Sequence, residues 1–381
     1  MNEQIKIAMA GPSGSGKTVL LSGFNEALVM GCSVGKDNIH VNATGSKDDA
    51  RFRGTEESGK TVGLTTAQIM EKYDVTKLMS TVKSNGERTE AAPGTVLMEN
   101  FYFDINLFSK DGESHSQVVK LTDYRGGLLS LKYNQLNETD ISESQMYMED
   151  LSTSEIIIIP IDGIKLAQHM DNDYRRKKAT GADRINALMN AVMKKPINGV
   201  SVMVVVTKVD SDRIPFELKE NNYSDLCSLA CKTIDSIWVN AGHMRTKYDW
   251  NFSVVPCTAI GEKNSITTYI PETDDYICSI RSNANIKQQN IDIAFIHAIG
   301  SALKSRVNKL DRDIAEYDKK IHESIGHMGL FTRKKYRDEF STNSYLKSLV
   351  MPRRNKYVKM LNIITEGFSE KFASVVRTFG N

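Results

Sequence analysis

The chain has few cysteines, prolines and tryptophans, with 5, 8 and 2 of them among 381 residues. The cysteines are scattered and odd in number, which argues against a disulfide framework and suits a reducing compartment. Cys227 and Cys231 are four residues apart, but no second Cys/His pair at zinc spacing accompanies them. We therefore interpret both as ordinary core or surface thiols.

Long apolar runs are also missing, since the longest candidate, residues 156–161, falls far short of the ~20 residues that span a bilayer. No charged start followed by an apolar run and a cleavage site is present, so we expect no signal peptide. The net charge of only +2 gives the whole chain no particular attraction to nucleic acid. These absences predict a soluble, cytoplasmic protein without a transmembrane segment.

Residues 11–18 read Gly-Pro-Ser-Gly-Ser-Gly-Lys-Thr and fit the phosphate-binding pattern G-x-x-x-x-G-K-[ST]. A strand-like segment precedes them and a helix-like segment follows, as this motif requires. Glycines let the backbone wrap a polyphosphate with its N–H groups inward, at the positive end of a helix. Lys17 should reach the β- and γ-phosphates, and the Thr18 hydroxyl should ligate Mg²⁺. The predicted phosphate-loop residues are Gly11, Ser13, Gly14, Ser15, Gly16, Lys17 and Thr18.

Apolar runs of strand length alternate with helical patterns along the chain. The predicted strands after the first are 96–108, 117–123, 155–162, 200–207 and 252–256, and the clearest helices between them are 182–195 and 224–240. The first two of these strands should form a hairpin. The alternation predicts an α/β fold with a doubly wound, mostly parallel sheet whose ligands bind at the carboxyl ends of the strands.

Three more short motifs follow predicted strand ends. Asp-Tyr-Arg-Gly at 123–126 fits D-x-x-G, Thr-Lys-Val-Asp at 207–210 fits [NT]-K-x-D, and Cys-Thr-Ala stands at 257–259. The first is unspecific alone, but Thr-Lys-x-Asp at a strand end behind a phosphate loop is specific. In order and spacing, residues 1–300 resemble the Ras-like and translation-factor-related (TRAFAC) P-loop GTPases, in particular bacterial Ras-like GTPases with a helical C-terminal extension.

This resemblance implies that the ligand is GTP or GDP. Asp210 would accept hydrogen bonds from guanine N1 and N2, for which adenine offers no paired donors. Lys208 would lay its aliphatic stem along the face of the base. Thr207 stands where the family more often has Asn, and it keeps a hydrogen-bonding side chain.

The last motif of the family is matched more weakly. Thr258 and Ala259 fit it, and the backbone N–H of Ala259 would read guanine O6. Ile260 stands where the family usually has Lys, so one stacking contact with the base is in doubt. The resemblance thus places Thr258 and Ala259 among the nucleotide-binding residues.

The resemblance also implies a magnesium site and two switch segments. Asp123 would hold Mg²⁺ through a water, and the Gly126 N–H would contact the γ-phosphate. A Thr normally joins the metal shell just before the second strand, and Thr95 is the choice here. Thr89, preceded by Arg88, is the alternative. The predicted metal ligands are Thr18, Thr95 and Asp123.

Hydrolysis is expected to be slow, because Gly127 occupies the place where Ras-like proteins carry a Gln that orients the attacking water. Arg88, Arg125 or an activating partner protein could supply charge to the transition state. The residues assigned to hydrolysis are Lys17, Thr95 and Gly126.

From about residue 286 the chain reads as helical, with apolar residues at a 3–4 spacing over 296–321 and again over 357–379. We expect a GTPase domain at 1–300, with a switch-region insertion at 33–94, and a helical hairpin or bundle at 301–381. Residues 303–381 hold 17 Lys+Arg and 9 Asp+Glu. This basic surface is either a solvated face or a contact for an acidic partner, a membrane surface or nucleic acid.

Two function classes follow for the chain as a whole. The first is a GTP-dependent molecular switch that signals to an effector through its switch loops. The second is a remodelling or motor-like NTPase, and a nucleotide-binding protein that does not hydrolyse is a third possibility. The missing second phosphate loop and Gly127 favour the switch.

Overall fold

The computed structural model describes residues 4–30, 32–34, 39–44, 54–55, 61–62, 79, 81–82, 99–124, 138–261, 264–272, 275–282, 284–326 and 333–378. In chain order its strands are β1 (Ile5–Met9), β2 (Cys32–Val34), β3 (Ile39–Thr44), β4 (Gly54–Thr55), β5 (Thr61–Val62), β6 (Thr81–Val82), β7 (Glu99–Phe108), β8 (Ser114–Asp123), β9 (Ile156–Asp162), β10 (Ser201–Thr207), β11 (Asn251–Pro256), β12 (Ser265–Ile270), β13 (Asp275–Arg281) and β14 (Arg377–Thr378).

A nine-stranded sheet forms the centre of the described part of the chain, in the order β14-β11-β10-β9-β1-β8-β7-β3-β2. The inner strands β11, β10, β9, β1 and β8 are parallel, and β7 pairs antiparallel with β8 as the predicted hairpin. The strand order reverses beside β1, which lies between β8 and β9. In such sheets the crevice at this reversal is where ligands bind.

Helices cover both faces of this sheet. They are α1 (Lys17–Met30), α2 (Glu138–Thr153), α3 (Gly163–Gln168), α4 (Asp173–Thr180), α5 (Ala182–Lys194), α6 (Phe216–Thr233), α7 (Asp235–Tyr248), α8 (Ile291–Gly326) and α9 (Arg333–Val375). Ile156 and Ile158 of β9 pack in one core with α1, α8 and α9, whereas Ile157 and Ile159 pack in a second core with α2, α3, α5, α6 and α7. The predicted α/β fold class, with its helical C-terminal region, is confirmed.

Pro160 lies in β9, in the middle of the sheet, where proline is unusual because it cannot donate to the ladder. The last bond between β1 and β9 runs from the Ala10 N–H to the Ile158 carbonyl, at 2.7 Å. The backbone nitrogen of Pro160 faces β1, as the Ile158 carbonyl does, because alternate residues of a strand bond to the same neighbour. At this point, however, β1 has ended at Met9 and the chain continues into the phosphate loop. The missing N–H therefore breaks no sheet bond, and the ring packs beside Gly11 instead.

The structure differs from the sequence expectations in three places. Residues 33–94 carry no strong strand signal, yet β3 lies there and pairs with β7, which extends the sheet. The helix expected over 224–240 is two helices, which meet at the buried Ile234. The antiparallel pair β12–β13 was not anticipated at all, and with β6 it forms a separate three-stranded sheet.

The C-terminal helices contact the sheet closely. Residues 300 and 301 both lie inside α8, and β14 adds to the edge of the sheet beside β11. Arg306 of α8 donates to both carboxylate oxygens of Glu155, at 2.8 and 2.7 Å, to the Gln4 carbonyl and to the Tyr357 hydroxyl. This one side chain ties α8 and α9 to the starts of β1 and β9. The division at 300/301 into two domains stays a prediction.

Part of the basic surface is neutralised within the chain. Arg354 pairs with Asp311 at 2.6 Å, and Lys347 pairs with Asp318 at 2.5 Å, so both bridges join α9 to α8. The side chains of Lys334 and Lys335 are exposed. In the parts of the chain that the structure describes, no helix is long and apolar enough to cross a membrane.

Candidate nucleotide-binding site

The loop between β1 and α1 has a backbone that requires its glycines. Gly14 and Gly16 have φ angles of +76° and +87°, which other residues rarely adopt. A Cβ added at Gly11 would lie 2.8 Å from Ser15 Oγ and 3.0 Å from Pro160 Cγ. Beside Gly14, in contrast, nothing lies within 4 Å of an added Cβ, so this part of the loop borders open space. The exposed Ser13 lies next to it.

Lys17 begins α1 and is only 6% exposed. Its Nζ donates to the carbonyl oxygens of Gly11 and Pro12, at 2.7 and 2.8 Å. The Ser15 hydroxyl donates to the same Pro12 carbonyl at 2.9 Å. The loop therefore holds an enclosed ammonium group at the positive end of a helix, the combination that attracts a polyphosphate.

Thr207 joins the phosphate loop to the Thr-Lys-x-Asp turn. Its hydroxyl lies 2.8 Å from the Ser15 carbonyl and 3.1 Å from the Ile161 carbonyl. A Cβ at Gly16 would come within 3.3 Å of this hydroxyl, so the third glycine of the loop allows the close approach. The sequence separation between Thr207 and Ser15 is 192 residues. The fold thus brings the two motifs into direct contact.

Lys208 is held by an acidic residue that the sequence analysis did not assign. Its backbone is left-handed, with φ of +57°, and its Nζ forms a short ion pair with the Asp162 carboxylate. Asp162 ends β9 and is 3% exposed, and its other oxygen accepts from the backbone N–H groups of Ile164 and Lys165 at the start of α3. A single carboxylate thus caps α3 and positions Lys208. Its place at the end of a fully apolar strand was the signal that could have identified it.

A pocket with about 490 Å³ of empty space, solvent at its mouth included, lies beside this turn. Gly16, Thr207, Lys208, Asp210 and Ala259 line it, and all five were predicted from the sequence. The pocket is also lined by residues that were not predicted, namely Val19, Leu20, Met79, Cys257, Ile260, Ser265, Cys278 and Ile291. Asp210 is 6% exposed, so a carboxylate is enclosed among mostly apolar walls.

Thr258 shapes the pocket wall rather than lining it. It is 1% exposed, its hydroxyl accepts from the Gly261 N–H at 2.9 Å, and its backbone pairs with Gln289. Gly261 has a φ of +86° and approaches the Lys287 carbonyl too closely for a side chain. These contacts fix the backbone that precedes Ala259 and Ile260 at the pocket.

Burial raises the pKa of the Cys278 thiol to about 11, and it raises the pKa of Cys257 well above its usual value. Both pocket thiols are therefore neutral at physiological pH. The buried thiols Cys227 and Cys231 lie in the core on the second face of the sheet.

The remaining assignments concern the γ-phosphate side. Asp123 ends β8, but its side chain lies outside the described residues. Also outside them are Thr95 and Gly126, together with Arg88, Thr89, Arg125 and Gly127. These assignments stay predictions.

The donors present fit a magnesium–polyphosphate ligand. Thr18 follows Lys17 on α1 and offers a hydroxyl oxygen, the hard type of ligand that Mg²⁺ takes. Among the described residues no group of three or more His, Cys, Asp or Glu could hold a metal ion. Magnesium at this loop would therefore need phosphate oxygens and waters to complete its shell, which is its usual mode of binding.

No protein-family model and no curated protein sequence matches the chain. Solved structures do match. The signal recognition particle receptor SRb in its GTP/SRX complex from Chaetomium thermophilum has 13% identity over 69% of this chain and 94% of its own, with a TM-score of 0.37.

Two further solved structures are similar. The G domain of the T. maritima FeoB iron transporter has 12% identity, coverage of 68% and 91%, and a TM-score of 0.25. The GDP-Mg form of SRb from Chaetomium thermophilum has 14% identity, coverage of 68% and 92%, and a TM-score of 0.27.

Proposed function

We propose that this protein binds GTP and GDP with Mg²⁺ and hydrolyses GTP slowly, as a molecular switch. The observation that supports this proposal most directly is the hydrogen bond from the Thr207 hydroxyl to the Ser15 carbonyl, at 2.8 Å. This contact joins the phosphate loop to the Thr-Lys-x-Asp turn, which supports a single site that includes the Asp210 carboxylate and the Lys17 ammonium. A ligand that spans both needs a polyphosphate at one end and a hydrogen-bond donor edge at the other.

Asp210 selects the base. A guanine presents the N1–H and N2–H groups as paired donors, and a buried carboxylate accepts both. Adenine presents an acceptor at N1, which faces the carboxylate unfavourably. Because charged hydrogen bonds contribute about 1.5–3 kcal/mol each in an enclosed site, this edge separates GTP from ATP by at least roughly tenfold.

Lys17 and the loop N–H groups bind the phosphates, and Thr18 would hold the Mg²⁺, which neutralises the charge of the β- and γ-phosphates. Gly127 at the water-orienting position supports slow turnover, and a partner protein would then accelerate it. Isolated protein should turn over well below the ~1 s⁻¹ at which efficient phosphoryl-transfer enzymes begin. A faster rate without a partner would favour the remodelling or motor-like NTPase.

Asp210→Asn tests the base assignment most directly. An Asn side chain presents one acceptor and one donor, which matches the N1–H and the 2-oxo group of xanthine. We expect the variant to lose GTP affinity by roughly 10- to 100-fold and to gain affinity for XTP. Calorimetric titration with GTP, XTP and ATP measures all three.

The matched control is Asp212→Asn, because this exposed Asp is two residues away. It should leave every affinity unchanged. Equal binding of ATP and GTP by the native protein would contradict the proposal, as would an Asp210→Asn variant that behaves like the control.

A further inference from the structure

The pair of strands β12 and β13, the pocket hairpin, closes one side of the base pocket. Its strands pair antiparallel over six residue pairs, from Ser265–Ile280 to Ile270–Asp275. Ser265 and Cys278 line the pocket together with Asp210 and Lys208. The hairpin is not part of the central sheet, and β13 pairs instead with β6. The hairpin thus belongs to a separate small sheet and forms one side of the pocket.

A buried row of polar groups holds this wall to the turn that follows Asp210. The Arg213 N–H donates to Ser211 Oγ at 3.1 Å, and Ser211 Oγ lies 2.8 Å from Thr267 Oγ1 of β12. Thr267 Oγ1 lies 3.7 Å from the sulfur of Cys278. Ser211 and Thr267 are 0% and 3% exposed, so water cannot replace their contact.

A second contact acts at the same place. Ser265 Oγ lies 3.4 Å from the backbone carbonyl of Asp210. The hairpin therefore touches the turn by two hydroxyl groups, from alternate residues of one strand. Thr268, the next residue of β12, lies on the opposite face and is partly exposed.

We propose that the pocket hairpin retains the bound nucleotide, and that the Ser211–Thr267 hydrogen bond is what holds it over the base. This proposal rests on the proposed function, since it concerns the release of a guanine nucleotide from that site. A base can leave past this wall only if the hairpin separates from the turn. Separation breaks a hydrogen bond between two buried hydroxyls, which is unfavourable because it exchanges an oxygen partner for the weaker contacts that remain, the Arg213 N–H at Ser211 and the Cys278 sulfur at Thr267.

The test measures the release of GDP that carries a methylanthraniloyl fluorophore on its ribose, displaced by excess unlabelled GDP. Thr267→Val removes the hydroxyl at nearly constant size, and we expect it to release the nucleotide roughly three- to tenfold faster. The double variant Ser211→Ala with Thr267→Val should do the same. It leaves no buried hydroxyl unsatisfied, and the N–H that loses its acceptor belongs to the exposed Arg213, so it guards against a misfolded single variant. Thr268→Val, on the other face of β12, is the matched control and should release at the native rate.

The outcomes separate the two proposals. If the native protein does not bind the labelled GDP, the proposed function fails and this inference fails with it. If the native protein binds, but the single and double variants release at the rate of Thr268→Val, only the inference is overturned. Faster release by both variants, with thermal unfolding of the double variant near the native midpoint, supports it.

Discussion

The edge of the sheet that carries the candidate site and the pair of helices α8 and α9 are held together by different forces. At the edge, backbone carbonyls, hydroxyls and the Lys208–Asp162 ion pair make the contacts, and Gly14, Gly16 and Lys208 have positive φ angles. In the helical pair, apolar side chains dominate, and Phe368 is completely buried.

This difference predicts that the sheet edge determines nucleotide affinity and that the helical pair determines the free energy of unfolding. Polar groups at the edge contribute little net stability, because water satisfies them in the unfolded chain, but in the proposed function they bind the nucleotide. Apolar groups of the helices contribute stability in proportion to the area they bury, and of the described residues of α8 and α9 only Ile291 lines the pocket. Substitutions in one region should therefore change one property and leave the other.

Phe368→Ala should have the largest effect. A fully buried Phe costs about 3–5 kcal/mol when it is truncated, through lost burial and the cavity that remains. Denaturant unfolding measures this loss. The exposed Leu349→Ala on the same helix is the control and should change the free energy of unfolding by less than about 0.5 kcal/mol.

The nucleotide affinity of the folded Phe368→Ala protein should stay within about twofold of the native value, a change of less than ~0.5 kcal/mol. If it instead falls in parallel with stability, the helices of 301–381 are integral to the nucleotide domain. The predicted division at residue 300 would then be wrong.

Lys17→Ala should have the opposite pattern, with a loss of nucleotide affinity and nearly constant stability. It removes the only side-chain cation of the phosphate loop, so the affinity for GTP and GDP should fall by roughly 10- to 100-fold. The free energy of unfolding without nucleotide should change little. The exposed Lys178→Ala is the control, and both affinities are measured by titration. Unchanged binding by Lys17→Ala would refute the phosphate site.

The pH dependence of the free energy of unfolding tests the burial of His297, which lies on α8 in the apolar region. Burial lowers its pKa to about 4, and its Nδ1 has no hydrogen-bond partner among the described residues. Since the unfolded pKa is near 6.5, the unfolded chain takes up a proton below that pH while the folded protein does not. Stability is therefore lost as the pH falls from about 6.5 towards 4, by about 1–2 kcal/mol at pH 5.

His297→Phe should remove that part of the pH dependence. Denaturant unfolding of both proteins at pH 7.5 and pH 5 gives the difference, in which the titration of other groups cancels. Identical pH dependences of the two proteins would show that His297 takes up its proton as readily in the folded protein as in the unfolded chain.

Asp162→Asn should have the smallest effect. Asn keeps an oxygen that accepts from Ile164 N–H, so the cap of α3 survives, but the charge that holds Lys208 is gone. We expect GTP affinity to fall roughly three- to tenfold, with little change in stability. Asp171→Asn, which is exposed, is the control. Unchanged affinity would show that the Asp162 charge does not position Lys208 for the nucleotide, which would leave Asp162 only the role of a helix cap.

The sequence by itself determined the features that depend on short segments. The phosphate loop is eight consecutive residues, so its pattern shows in the letters alone. The strand Ile156–Asp162 could be predicted because burial on both faces demands a continuous apolar run. Motifs at strand ends could be assigned to one edge because parallel strands share a direction.

Only the tertiary structure decided the contacts between residues far apart in the chain. No local pattern shows that Asp162 would hold Lys208, because the two residues end different strands and are 46 residues apart in the chain. The pocket hairpin escaped prediction because it packs against a site instead of in the central sheet, so its apolar pattern is weak. Such contacts depend on how the strands are ordered in space, and that order is fixed by the packing of the whole core.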